Sequence, residues 1–118
     1  MALWSRRVFA LALLGGALAG GCLSPTLPLP PPSKPDVSAP DANGNVRVQG
    51  WVPGRSEAIA RNERTDLLYG QLTDNSGQYD FLMPAQSCDW ITLYYISGTE
   101  LSAPANSARV PSPVPCPQ

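Results

Sequence analysis

The sequence has no histidine and one lysine, Lys34. The first absence removes the side chain that titrates nearest neutrality and the commonest transition-metal ligand. The second leaves a Ser/Lys catalytic pair no lysine except one in a proline-rich stretch. Charge is sparse too: 8 Lys+Arg against 9 Asp+Glu give a net −1 over 118 residues, which excludes the basic surface of a nucleic-acid binder. From Asn43 onward no long segment has helical period, and 118 residues suit one small domain. Proline, by contrast, is plentiful, with 14 residues against an average usage of about 5%. Cysteine occurs an odd number of times, at positions 22, 88 and 116.

Residues 1–21 read as a targeting segment, in which Arg6 and Arg7 precede an uncharged, mostly apolar run over residues 8–21. Fourteen residues at a rise of about 1.5 Å span about 21 Å, short of the roughly 30 Å hydrocarbon core of a bilayer. The run ends in Leu18-Ala19-Gly20-Gly21-Cys22, which resembles the lipobox of bacterial lipoproteins. There a signal peptidase cuts before a cysteine that carries diacylglycerol. Small side chains before the cut admit an extended backbone to the peptidase, and the thiol after it accepts the lipid. Ala19 departs from the usual Leu. An ordinary cleaved signal peptide would instead leave Cys22 as a free thiol. Ser5-Arg6-Arg7-Val8-Phe9 also resembles the twin-arginine export signal. These resemblances imply a membrane partner reached through acyl chains on Cys22. Leu23, where an Asp retention signal would otherwise stand, implies the outer membrane, on its periplasmic or surface face.

Seven prolines lie in residues 23–42, five in 104–118 and two between. Composition therefore divides the chain into a signal segment (1–21), a lipidated cysteine with a disordered proline-rich spacer (22–42), and a body with a proline-rich tail (43–118). Proline lacks an N–H and disfavours helix in the residue before it, so the spacer can form neither helix nor interior strand. Twenty residues at about 3.1 Å each reach on the order of 60 Å. The chain after residue 21 keeps 6 positive and 9 negative side chains, a net of −3. Attachment would then rest on acyl chains rather than on basic residues.

The body shows short β-rich runs separated by turn residues, the pattern of an all-β domain. In NVRVQGWV, Val46, Val48 and Gly50 share one side and Arg47, Gln49 and Trp51 the other, ending at Pro53-Gly54. SEAIARNE is ambiguous: Ala58 and Ala60 can face a crowded core, or Ile59 can point inward through a bulge. LLYGQLT and QYDFLM are joined by DNSG, which predicts a hairpin. In it Asp74 accepts turn amides, Gly77 takes a positive φ, and Tyr79, Phe81 and Met83 share one face. TDNSGQYDF resembles the T-D-x-x-G-x-Y-x-F hairpin of carboxypeptidase regulatory-like domains, and Val46, Val48, Gly50 and Val52 match that family's V-x-V-x-G-x-V opening. The resemblance covers residues 43–104, departing at NERTD, where a Thr-Gly turn is usual. It implies a small Ig-like or transthyretin-like β-sandwich of six to seven strands, and a non-catalytic supporting or binding role. Asp74, Ser76 and Asp80 lack the EF-hand spacing and its terminal Glu, so turn chemistry accounts for them and no metal or cofactor is expected.

With Cys22 assigned to lipid, Cys88 and Cys116 remain in an exported, oxidising compartment and are expected to pair. A bridge would pin the proline-rich tail beside the turn after QYDFLM. Among function classes, a structural or protein-interaction module of the envelope is expected first. A glycan-binding surface is the alternative, because Trp51, Trp90 and Tyr94 offer flat rings for sugar stacking. Alternation sets Trp90, Thr92 and Tyr94 on one face and Ile91, Leu93 and Tyr95 on the other. An enzyme would need a carboxylate pair such as Asp80 with Asp89 to meet in space, and is not expected.

Overall fold

The computed structural model describes residues 27–118. The targeting segment and Cys22 lie outside the described residues. The chain forms β1 (Asp36–Val37), β2 (Asn45–Trp51), β3 (Glu57–Asn62), β4 (Leu68–Leu72), β5 (Gln78–Pro84), β6 (Trp90–Ser97), β7 (Glu100–Leu101) and β8 (Ala108–Arg109). Two antiparallel sheets result. One has the order β1-β2-β5; the other runs β4-β3-β6, with β7 and β8 both along the far side of β6. The expected all-β sandwich is what the chain forms. The eight strands among the described residues exceed the expected six or seven because β1, β7 and β8 are two-residue pieces too short to leave a pattern in sequence.

Alternation builds the core. Val46 and Val48 on β2 and Tyr79 and Met83 on β5 face Ala58 and Ala60 on β3 and Ile91, Leu93 and Tyr95 on β6. The open register of β3 is thereby resolved: the two alanines point inward, and Ile59 lies on the outer face without a bulge. Small side chains on β3 leave room for the large Tyr79, Met83 and Leu93 opposite and beside them.

The expected hairpin at DNSG is corrected. Its turn chemistry is as read: the Gly77 N–H donates to the Asp74 carbonyl (3.1 Å) and Gly77 sits at φ 75°. Yet β4 pairs with β3 and β5 pairs with β2, so the turn carries the chain from one sheet to the other. A reversal signal fixes where the chain turns back; it does not fix which neighbour each strand then pairs with. The turn is instead interlocked with the β2–β3 connection. Val52 N–H donates to Gly77 O (2.9 Å), Arg55 N–H to Asp74 O (2.8 Å), and Thr73 N–H to Ser56 O (2.9 Å).

The proline-rich stretch lies on the sandwich from Leu29 onward. Leu29 bridges Ser102, Pro35 is buried, and Asp36-Val37 pairs with Gln49-Val48 at the sheet edge. The turn at Asp41 then leads into β2, its carboxylate accepting the Asn43 and Asn45 N–H groups (2.8 and 3.0 Å). The folded unit thus begins before residue 43. Proline is tolerated here because β1 is an edge strand, where a missing N–H breaks no ladder.

Candidate functional site

β6 carries the candidate rings. Its inward residues Ile91, Leu93 and Tyr95 are core, and Trp90, Thr92 and Tyr94 lie on the outer face of the five-stranded sheet. Trp90 is 41% exposed, with the Arg109 guanidinium 5.0 Å from its ring centroid, an arrangement set by the pairing of Trp90 with Arg109 between β6 and β8. Trp51 is 56% exposed but stands on β2, on the outer face of the other sheet. The three rings therefore do not form one platform. Trp90 and Tyr94 share a surface; Trp51 is on the opposite side of the molecule.

Beside Tyr94 runs an apolar groove of about 380 Å³ lined by Ile59, Arg61, Leu68, Tyr94, Ile96 and Leu101. It follows from the register: Ile59 and Arg61 lie between Gly70 and Leu68 on β4 and Tyr94 and Thr92 on β6, so outward side chains line up across strands. Thr92, though on this face, is buried beneath Glu63 and Ser107. Its hydroxyl donates to the Glu63 carboxylate and lies 2.8 Å from the Ser107 hydroxyl.

At one end of the sandwich sits a buried acid. Asp89 is 6% exposed and accepts from Asn62 Nδ2 (2.9 Å), Arg64 Nε (2.7 Å) and Nη2 (3.1 Å), and the Gln86 N–H (2.8 Å). Its neighbour Cys88 is bonded to Cys116, with Cα atoms 5.5 Å apart. Arg109 reinforces the tail by donating to the Cys88 and Pro117 carbonyls. The Cys88–Cys116 pairing thus joins the tail to the β5–β6 connection.

Four carboxylates are held toward the charged form. The Thr92 and Ser107 hydroxyls lower Glu63, Ser76 lowers Asp74, and the Arg47 side chain lowers Asp80. For Asp89, burial pushes upward, but the Arg64 side chain, the Gln86 N–H and Asn62 together outweigh it. Asp80 lies on the outer face of the three-stranded sheet paired with Arg47, far in the topology from Asp89 at the β5–β6 connection. The two do not form a carboxylate pair. Asp74 is occupied by its own turn, accepting the Ser76 N–H (2.8 Å), and Tyr79 is buried in the core. No three potential metal-ligating side chains cluster among the described residues.

Sequence reasoning missed Arg64 and Arg109, and it named Asp89 only as half of a carboxylate pair, not as the centre of this network. NERTD looks like a polar loop, and only the fold reveals that its asparagine and arginine converge on an acid 25 residues or more away. No protein-family model matches the chain, and no curated protein matches it.

Proposed function

We propose that the chain is a lipid-anchored envelope lipoprotein, and that its carboxypeptidase regulatory-like β-sandwich is a non-catalytic structural or protein-interaction module, most naturally at the outer membrane. The observation that carries the reading is Leu18-Ala19-Gly20-Gly21-Cys22 at the end of an apolar run led by Arg6-Arg7. A non-catalytic role is supported by the carboxylates: a general base works best with a pKa near the operating pH, and four of the acids here are shifted the other way. A protein partner is preferred over a glycan because Trp51 lies on the face opposite Trp90 and Tyr94, and Arg109 covers the Trp90 ring.

On this reading the spacer is short. Leu29 already contacts the domain, so six residues, 23–28, separate Cys22 from it. At about 3.1 Å each they reach roughly 19 Å, which keeps the sandwich close to the bilayer instead of far above it. Labelling bacteria with radioactive palmitate tests the anchor. The wild-type chain should take up label and fractionate with membranes, and Cys22→Ser should do neither; an unlabelled wild type, or a labelled Cys22→Ser, rejects the reading.

A further inference from the structure

Strand β4 closes one side of the five-stranded sheet, and no strand lies beyond it among the described residues. The other edges are shielded. β1, β7 and β8 are two residues long, Pro35 and Pro40 flank β1, and Pro104 follows β7. On β5 the Asp80 N–H donates to Gln71 Oε1 (2.8 Å), and the strand ends in Pro84. The β4 sequence LYGQL has no charge, no proline and no bulge, the devices that keep an edge from pairing. Leu68 and Leu72 are 62% and 77% exposed.

The hydrogen-bond phase of this edge is readable. Asn62 N–H donates to Leu67 O and Thr73 N–H to Ser56 O, so residues 67, 69, 71 and 73 address β3. By antiparallel alternation, Leu68, Gly70 and Leu72 then direct their N–H and C=O groups outward. We propose that this edge pairs with β4 of a second copy of the chain, antiparallel, about a two-fold axis through Gly70. In that register Leu68 faces Leu72 of the other copy, Gly70 faces Gly70, and every outward group is matched. Three donors and three acceptors per copy make six interchain bonds.

The side chains fit the same axis. Leu68 and Leu72 lie on the outer face with Arg61 and Glu57, so two leucine pairs meet there and the groove beside Tyr94 continues across the junction. Gly70 brings no side chain to the crossing. Asp66 of one copy and Asp74 of the other flank the pairing, and both are already engaged, Asp66 by Arg61 and Asp74 by Ser76. The chain's own N-terminal stretch is not the occupant, because it enters at the opposite side of this sheet, where Leu29 bridges Ser102 next to β7. A self-complementary edge is what an isologous dimer requires. The inference is independent of the lipid anchor.

Sedimentation equilibrium of the full chain in density-matched detergent tests it with two variants at exposed positions. The wild type should be a dimer. Leu68→Lys/Leu72→Lys places like charges opposite each other and should weaken association about 100-fold. Leu68→Lys/Leu72→Glu places Lys opposite Glu only in the antiparallel register about Gly70, and should return association to within about tenfold of wild type. Hydrogen exchange needs no substitution: the Leu68, Gly70 and Leu72 amides should be protected in the wild type. A monomeric wild type, a dimer that survives the double-lysine change, a Lys/Glu variant as weak as the Lys/Lys one, or fast exchange at those three amides each overturns the proposal.

Discussion

The Tyr79 hydroxyl is buried in the core without a hydrogen-bond partner, and that burial, with Asp36 nearby, pushes its pKa upward. A buried unpaired hydroxyl costs about 1–3 kcal/mol relative to its hydrated state, so its removal is not a loss. Tyr79→Phe should therefore leave stability unchanged or raise it by up to about 1 kcal/mol, read as the midpoint of chemical denaturation. The ring packs over Gly50 and leaves no room for a side chain there: a Cβ on Gly50 would come within 2.5 Å of the Tyr79 hydroxyl and 2.9 Å of the ring carbon that bears it. Gly77 is stricter still. Its φ of 75° is a left-handed conformation, and a Cβ there would lie 1.8 Å from the Val52 carbonyl oxygen. No flexible side chain can move aside, so Gly77→Ala should cost about 3 kcal/mol or more by the same denaturation measurement. The glycine in TDNSG was legible as a turn residue. The contact that makes it indispensable was not, since it involves Val52, just past β2 and 25 positions earlier.

Among the elements, the polar end of the sandwich is a place where acid should lower stability. Asp89 links the β3–β4 loop, through Asn62 and Arg64, to the β5–β6 connection, through Gln86. Its folded pKa lies below the ordinary value of 3.8, so it contributes stability above pH 3.8 that disappears as the pH falls through the folded value. Asp89→Asn should flatten the fall in stability below about pH 4 and lower stability at pH 7, both followed by denaturation midpoints against pH. Asp89→Ala, which strands Asn62 and the Gln86 N–H, should cost about 2–3 kcal/mol at neutral pH; an unchanged midpoint would show that the network contributes nothing. Strand identity was largely legible at this scale. Val46/Val48, Tyr79/Met83 and Ile91/Leu93/Tyr95 alternate as strands facing a core must, and all of them are buried. Less legible was whatever depends on an opposing surface. The choice between Ala58 and Ile59 as the inward set is made by the bulk of the facing sheet, and the partner of β4 is set by its hydrogen bonds to β3, which no residue in LYGQL encodes.

For the molecule as a whole, proline composition marked a spacer and a tail, and both prove to be attached: Leu29 to Ser102, and Cys116 to Cys88. Composition reports what a segment cannot form by itself; docking depends on what the rest of the fold offers it. The bridge joins residues 28 apart in sequence, which on the chain-entropy model stabilises by roughly 3–4 kcal/mol. It also has a local cost, because Cys88 is held at φ 74°, a left-handed conformation that penalises a residue with a Cβ by about 1–2 kcal/mol. Two effects of opposite sign thus meet at one residue, and two variants separate them. Cys88→Ala/Cys116→Ser loses the cross-link and keeps the strain, and should fall by roughly 3–4 kcal/mol. Cys88→Gly/Cys116→Ser loses the same cross-link but relieves the strain, and should fall by about 1 kcal/mol less. If the two variants unfold at the same denaturant concentration, the turn relaxes once the bridge is gone, and the left-handed geometry at Cys88 is imposed by the disulfide itself. If they differ as expected, that geometry persists without the bridge, held by contacts such as the Cys88 N–H bond to the Val110 carbonyl (3.0 Å), and the β5–β6 connection keeps its shape independently of the disulfide.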